Sequence, residues 1–174
     1  MKTASALTAV ALVGAMATPA LATDWTGFYG GAQLGFGESQ SAGVRDDNAF
    51  GGLQAGYNYD FGDWVAGGEI EYRRPDNRLG FGTFDESVAL KGRLGYDFDG
   101  TLFYGTAGVT RGSVSTGAGS MTDDGFVYGF GVERMLSNNW SVGLEVLKAE
   151  YNSFGTTGRR LEDTSAALKF NYRF

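Results

Sequence analysis

Cysteine and histidine are both absent from this 174-residue chain, and proline occurs only twice. Without thiols there is no disulfide framework, no Cys nucleophile and no thiolate metal site. Without imidazole there is no Ser-His-Asp or Cys-His arrangement, and ordinary zinc sites lose their remaining ligand. Hydrolysis through a Ser-His or an Asp-His pair is excluded with it. No Gly-Lys-Ser/Thr follows any glycine run, so there is no phosphate loop. Basic residues are outnumbered, 14 Lys and Arg against 20 Asp and Glu, and an acidic chain is a poor partner for nucleic acid. Past the N-terminus no run is apolar enough for a membrane helix.

What is abundant is glycine, 29 residues, together with 13 Phe, 9 Tyr and 3 Trp. The first 22 residues read as a cleaved secretory signal: Lys2, an apolar stretch from Ala4 to Ala17, and Ala20-Leu21-Ala22 as the cleavage pattern. That apolar stretch is shorter than the roughly 18 residues of a spanning helix. The expected mature chain is one domain, 23–174, with a net charge of −7 once Lys2 is removed.

That chain alternates. In its last stretch Ala166, Leu168, Phe170, Tyr172 and Phe174 share one face, while Ala167, Lys169, Asn171 and Arg173 share the other. A period of two marks a strand with one apolar and one polar side. The same pattern recurs upstream. Phe28, Ala32, Leu34 and Phe36 oppose Tyr29, Gly31, Gln33 and Gly35; Leu53, Ala55, Tyr57 and Tyr59 oppose Gln54, Gly56, Asn58 and Asp60. Trp64, Ala66, Ile70 and Tyr72 oppose Glu69, Glu71 and Arg73; Val88, Leu90, Leu94, Tyr96 and Phe98 oppose Ala89, Lys91, Arg93 and Asp97. Strands six and seven place Phe126, Tyr128, Phe130 and Val132, then Trp140, Val142, Leu144 and Val146, on the apolar face. Strand five, from Leu102 to Arg111, is undecided: Phe103, Ala107 and Val109 favour one register and Tyr104 the other.

Short turns at 61–63, 97–100 and 137–139 separate the strands in alternation with polar loops expected at 38–49, 75–84, 112–124 and 152–163. Eight strands with that rhythm predict an all-β, antiparallel up-and-down transmembrane barrel with periplasmic turns and outer loops. A soluble eight-stranded barrel would instead turn its apolar face inward. Glycines among charges of both signs suit a crowded lumen better than a solvated surface. Arg134 and Lys148, which have outward parity, fall near opposite strand ends, where a cation costs about 0–1 kcal/mol against about 2–4 at the bilayer midplane.

The segments Asp24-Trp25-Thr26-Gly27-Phe28-Tyr29-Gly30-Gly31, Gly131-Val132-Glu133, Asn139-Trp140-Ser141 and Tyr172-Arg173-Phe174 resemble the small eight-stranded outer-membrane barrel family. That family includes the OmpA transmembrane domain and the opacity-type porins, and alphaproteobacterial members are the most similar. The resemblance spans the mature chain. It implies export through the periplasm to the outer membrane of a Gram-negative bacterium. It also implies that the terminal strand, with Phe170, Tyr172 and Phe174, is the signal read by the outer-membrane assembly machinery. The peptidoglycan-binding domain that follows the barrel in OmpA is not expected here.

Candidate functional residues lie on the polar face. Glu69, Glu71, Arg73, Lys91, Arg93, Glu133, Glu145, Lys169 and Arg173 are expected inside the lower and middle barrel. An eight-stranded barrel has room there only for side chains, and buried charges persist only when paired. An ion-pair network filling the lumen is therefore expected, either as a static plug or as a gate. Trp64, Tyr96, Phe98 and Trp140 are expected as interfacial aromatics. Asp46, Asp47, Asn48, Asp123 and Asp124 read as solvated loop acids, too few in ligands for calcium. Glu69 and Glu71 as a catalytic pair reflect only strand alternation. No catalytic residue, metal or cofactor is expected. The expected protein is a non-enzymatic monomer that contributes to outer-membrane structure, in contact with lipid including lipopolysaccharide. A narrow porin and a loop-borne adhesin are the alternatives.

Overall fold

The computed structural model describes residues 24–41, 44–75, 83–116, 119–154 and 159–174. The signal segment expected at 1–22 lies outside them. Eight strands follow in order: β1 (Gly27–Ser41), β2 (Val44–Asp60), β3 (Trp64–Pro75), β4 (Thr83–Phe98), β5 (Thr101–Thr116), β6 (Gly119–Met135), β7 (Trp140–Phe154) and β8 (Arg159–Arg173). Each pairs antiparallel with its sequence neighbour, and β1 pairs with β8 from Tyr29↔Arg173 to Gln40↔Glu162, closing the barrel. Closure leaves no open edge around the membrane-spanning part, which a bilayer requires because nothing there can satisfy a free N–H or C=O.

Local chemistry sets the turns. Between β4 and β5, Asp99 and Gly100 both have positive φ, 53° and 78°. That Asp-Gly pair is the composition of a two-residue hairpin turn whose twist matches the flanking strands. The Asp97 carboxylate accepts the Gly100 amide at 3.0 Å. Between β2 and β3 the Phe61 amide donates to the Trp64 carbonyl at 3.0 Å, with Gly62 at φ 105°.

Facing follows the alternation throughout. Leu34, Leu90 and Phe130 on the outside are 67%, 61% and 66% exposed, whereas Glu69, Lys91 and Lys169 inside are 1–2% exposed. A soluble barrel would show the reverse. The undecided fifth strand is settled in favour of Phe103, Ala107 and Val109 outside. Tyr104 points inward because its hydroxyl has a buried partner there, the Glu145 carboxylate at 3.1 Å.

The expected loops need correction. Backbone pairing runs on to Ser41↔Val44, Thr116↔Gly119 and Phe154↔Arg159, and β3 and β4 reach Pro75 and Thr83. Most of 38–49, 112–124 and 152–163 is therefore strand. Ladder bonds use the backbone alone, so polar Ser, Asp and Gly residues continue a hairpin once neither face has to meet lipid. The alternation that identifies strands in the membrane disappears at that level.

Candidate functional site

The lumen is built in levels. At its centre Glu69 of β3 stands opposite Lys91 of β4 in the ladder, with Glu71 one inward step higher. Lys91 Nζ lies 2.9 Å from Glu69, 2.7 Å from Glu71 and 2.8 Å from Glu145 of β7. Lys169 of β8 reaches the same carboxylates from the other side, 2.6 Å from Glu69 and 3.4 Å from Glu145. Two ammonium groups thus hold three carboxylates whose oxygens come within 4.8 Å of one another. Such a triad has the donor set for a divalent cation, but the lysine nitrogens already sit where the cation's charge is needed.

A second level lies toward the periplasmic turns. Arg93 donates to Glu133 at 2.8 Å and to the Tyr29 hydroxyl at 3.2 Å, and Tyr29 in turn donates to Glu69 at 2.8 Å. The Arg93 guanidinium also stacks on the Tyr104 ring, 3.9 Å from its centroid. Glu133 accepts two further bonds, from Ser141 at 2.6 Å and Asn171 at 3.0 Å. Asn171 accepts from Gln54 at 2.8 Å. Toward the outer end Arg73 pairs with Glu71, donates to Ser165 at 2.9 Å and covers the Phe50 ring. Four carboxylates (Glu69, Glu71, Glu133, Glu145) thus meet four cations (Lys91, Lys169, Arg73, Arg93), and this part of the lumen is electrically balanced. In a medium where unpaired charge costs several kcal/mol, balance and bonding together offset the cost of burying these groups.

Glycine makes the room. A Cβ at Gly56 would strike the Tyr29 ring, and one at Gly131 the Tyr104 ring. Each tyrosine that reaches the network lies over a bare stretch of the neighbouring strand.

Of the residues expected from the sequence, Glu69, Glu71, Arg73, Lys91, Arg93, Glu133, Glu145 and Lys169 share these contacts. Arg173 stands apart. It donates to the Trp25 carbonyl and lies over the Trp25 ring, 5.0 Å from the centroid. It sits at the periplasmic mouth, one level below the ion pairs. Trp64, Tyr96, Phe98 and Trp140 are all exposed on the outside near the short turns, as are Phe170, Tyr172 and Phe174. Trp64 packs edge-on against Tyr96, and Trp140 against Tyr172, at 5.5 and 5.0 Å. Of the expected loop acids, Asp124 pairs with Arg111 at 2.6 Å in the open; the side chains of Asp46, Asp47, Asn48 and Asp123 lie outside the described set. Sequence reasoning missed Trp25, Tyr29, Tyr104, Ser141 and Asn171 as members of the lumen network. Inward parity was the available signal for all but Trp25, which precedes the first strand.

A closed eight-stranded antiparallel barrel, apolar outside and ionic within, is a small transmembrane β-barrel. The chain belongs to the outer membrane protein β-barrel domain family, whose model matches residues 6–174, and its place is the Gram-negative outer membrane. A 22 kDa outer membrane protein of Rhizobium leguminosarum bv. viciae is 30% identical over 168 residues, covering 88% of this chain and 80% of that protein. Among solved structures, Neisserial surface protein A superposes with a TM-score of 0.64 at 17% identity, over 86% of this chain and 98% of that one. The attachment invasion locus protein Ail of Yersinia pestis gives 0.59 at 18%, over 85% and 99%. These two show the fold. The resemblance carried by the four segments from Asp24 to Phe174 is borne out.

Proposed function

We propose that this protein is a non-enzymatic structural component of the outer membrane whose lumen is sealed by its ion pairs. The observation that carries the reading is the five-residue cluster of Glu69, Glu71, Glu145, Lys91 and Lys169. These residues come from β3, β4, β7 and β8 and meet in the middle of a barrel that has room only for side chains. A hydrated ion entering here must displace at least one ammonium from two or more carboxylates, and nothing offered by a solitary ion replaces those bonds. The apolar exterior meets lipid, including lipopolysaccharide in the outer leaflet, and the barrel acts as a monomer. The first 22 residues direct export and are removed. The terminal strand ending in Phe170, Tyr172 and Phe174 is the element that the assembly machinery engages.

The test is single-channel recording in a planar bilayer, with the refolded, signal-free protein and a Lys169→Ala variant side by side. Silence from the wild type, with insertion shown independently, supports the sealed barrel. Discrete wild-type steps whose size changes in Lys169→Ala would overturn it in favour of a narrow pore.

A further inference from the structure

Trp25 lies ahead of β1, at the end where the short turns are, yet it is completely buried. Gly27 accounts for its direction. At φ 131° it adopts a conformation that side-chain-bearing residues rarely reach, and it turns Thr26 and Trp25 back beneath the barrel. There Trp25 packs with Val65, Leu102 and Tyr104, and Met135 closes the cluster from its edge. This is the apolar floor of the lumen, distinct from the buried apolar cluster of Ala89, Val127 and Leu147.

The floor is tied down from two sides and braced within its own segment. The Trp25 amide donates to the Asp60 carboxylate at 3.1 Å, and the Asp60 amide donates to the Thr26 hydroxyl at 3.2 Å, fastening the segment to the end of β2. Arg173, at the end of β8, donates to the Trp25 carbonyl and stacks over its ring. The Asp24 carboxylate accepts the Thr26 amide at 2.8 Å and shapes the turn locally. First and last segments of the chain therefore meet on one indole.

We propose that Trp25 is a second permeability barrier, a periplasmic stopper in series with the ion-pair cluster and joined to it through Tyr104. The proposal rests on the sealed-lumen reading and adds to it. Its physical basis differs from that of the ion pairs. The cluster excludes ions because its charges are already satisfied; an indole floor excludes them because an apolar constriction offers no replacement for a hydration shell. Two barriers of different kinds in series also mean that loosening one does not open the protein. Arg173 is the positioning residue: it holds the backbone and ring of Trp25 and has no role in the cluster above.

The prediction is a specific non-additivity. In planar bilayers the wild type, Lys169→Ala and Trp25→Ala are each silent, and the Lys169→Ala/Trp25→Ala double variant shows discrete conductance steps. Folding of every variant is verified by its gel shift on heating. A double variant that is folded and silent overturns the stopper, as does conduction by Lys169→Ala alone, since the intact floor should still block it. Conduction by the wild type sinks the sealed-lumen reading itself, so the two failures are distinguishable. A second measurement uses the absence of native cysteine. Val65→Cys is covered by Trp25 within the floor, and its labelling by a membrane-impermeant thiol reagent from the periplasmic side should rise about tenfold when Trp25→Ala is added. Trp25→Phe, which keeps an aromatic floor, should leave it slow. Equal labelling with and without Trp25 would also overturn the stopper.

Discussion

Lys169 and Glu69 lie 100 residues apart in sequence and 2.6 Å apart in the lumen, an ammonium and a carboxylate joining the last strand to the third. Those strands are not neighbours in the sheet. The pair therefore spans the barrel, and with Lys91 it couples opposite walls through the three carboxylates.

Removing one member leaves the others buried and unbalanced. Lys169→Ala should destabilise the barrel by about 3–5 kcal/mol, the cost of breaking a buried pair from one side. Urea titration of the protein refolded into vesicles measures it. Replacing Lys169 and Glu69 together by Met should cost less than Lys169→Ala, because no uncompensated charge then remains between them.

Arg93 uses shape as well as charge. It bonds Glu133 and Tyr29 while its plane lies on Tyr104. Arg93→Lys retains the charge but loses the fork and the stacking, so a loss of roughly 1–3 kcal/mol is expected. A Lys that restored full stability in the same titration would show that charge alone matters here.

The bare positions are equally testable. Gly131→Ala puts a Cβ into the Tyr104 ring, and about 1–3 kcal/mol of overpacking is the expected penalty. Adding Tyr104→Phe should recover little, since the ring carbon Cζ collides as closely as the hydroxyl. Adding Tyr104→Leu should recover part of the loss.

On the outside, depth in the bilayer decides. Leu90 is at mid-strand and Phe98 beside a short turn, both lipid-facing. Leu90→Arg should cost about 2–4 kcal/mol and Phe98→Arg about 0–1. Equal penalties in vesicle refolding would mean that the two positions are not at different depths.

Substituting Phe174 tests the assembly-signal proposal apart from barrel stability. Phe174 is exposed and packs edge-on against Tyr172 at 5.2 Å. Phe174→Ser should lower the amount of barrel assembled in cells while barely altering refolding into vesicles in vitro. A parallel fall in both would assign Phe174 to barrel stability instead.

Sequence alone determined the strand count within the membrane, the facing of seven strands and the list of inward charges. Each rests on a period of two, a local property of the pleated backbone that neighbours in sequence report by themselves. The fifth strand escaped because Phe103 and Tyr104 are both aromatic and point opposite ways; the Glu145 carboxylate on β7, the Arg93 guanidinium on β4 and the bare Gly131 on β6 tell them apart. The upper strands escaped because a hairpin in water needs no alternation. Pairing within the lumen depended on tertiary structure altogether. Inward parity shows that Arg173 faces the interior, but register and barrel closure decide that it meets Trp25 while Lys169, four residues earlier, meets Glu69. Trp25 itself has no strand parity. Its burial comes from a glycine turn and from the mouth of a closed barrel, and that mouth exists only once β1 and β8 have paired.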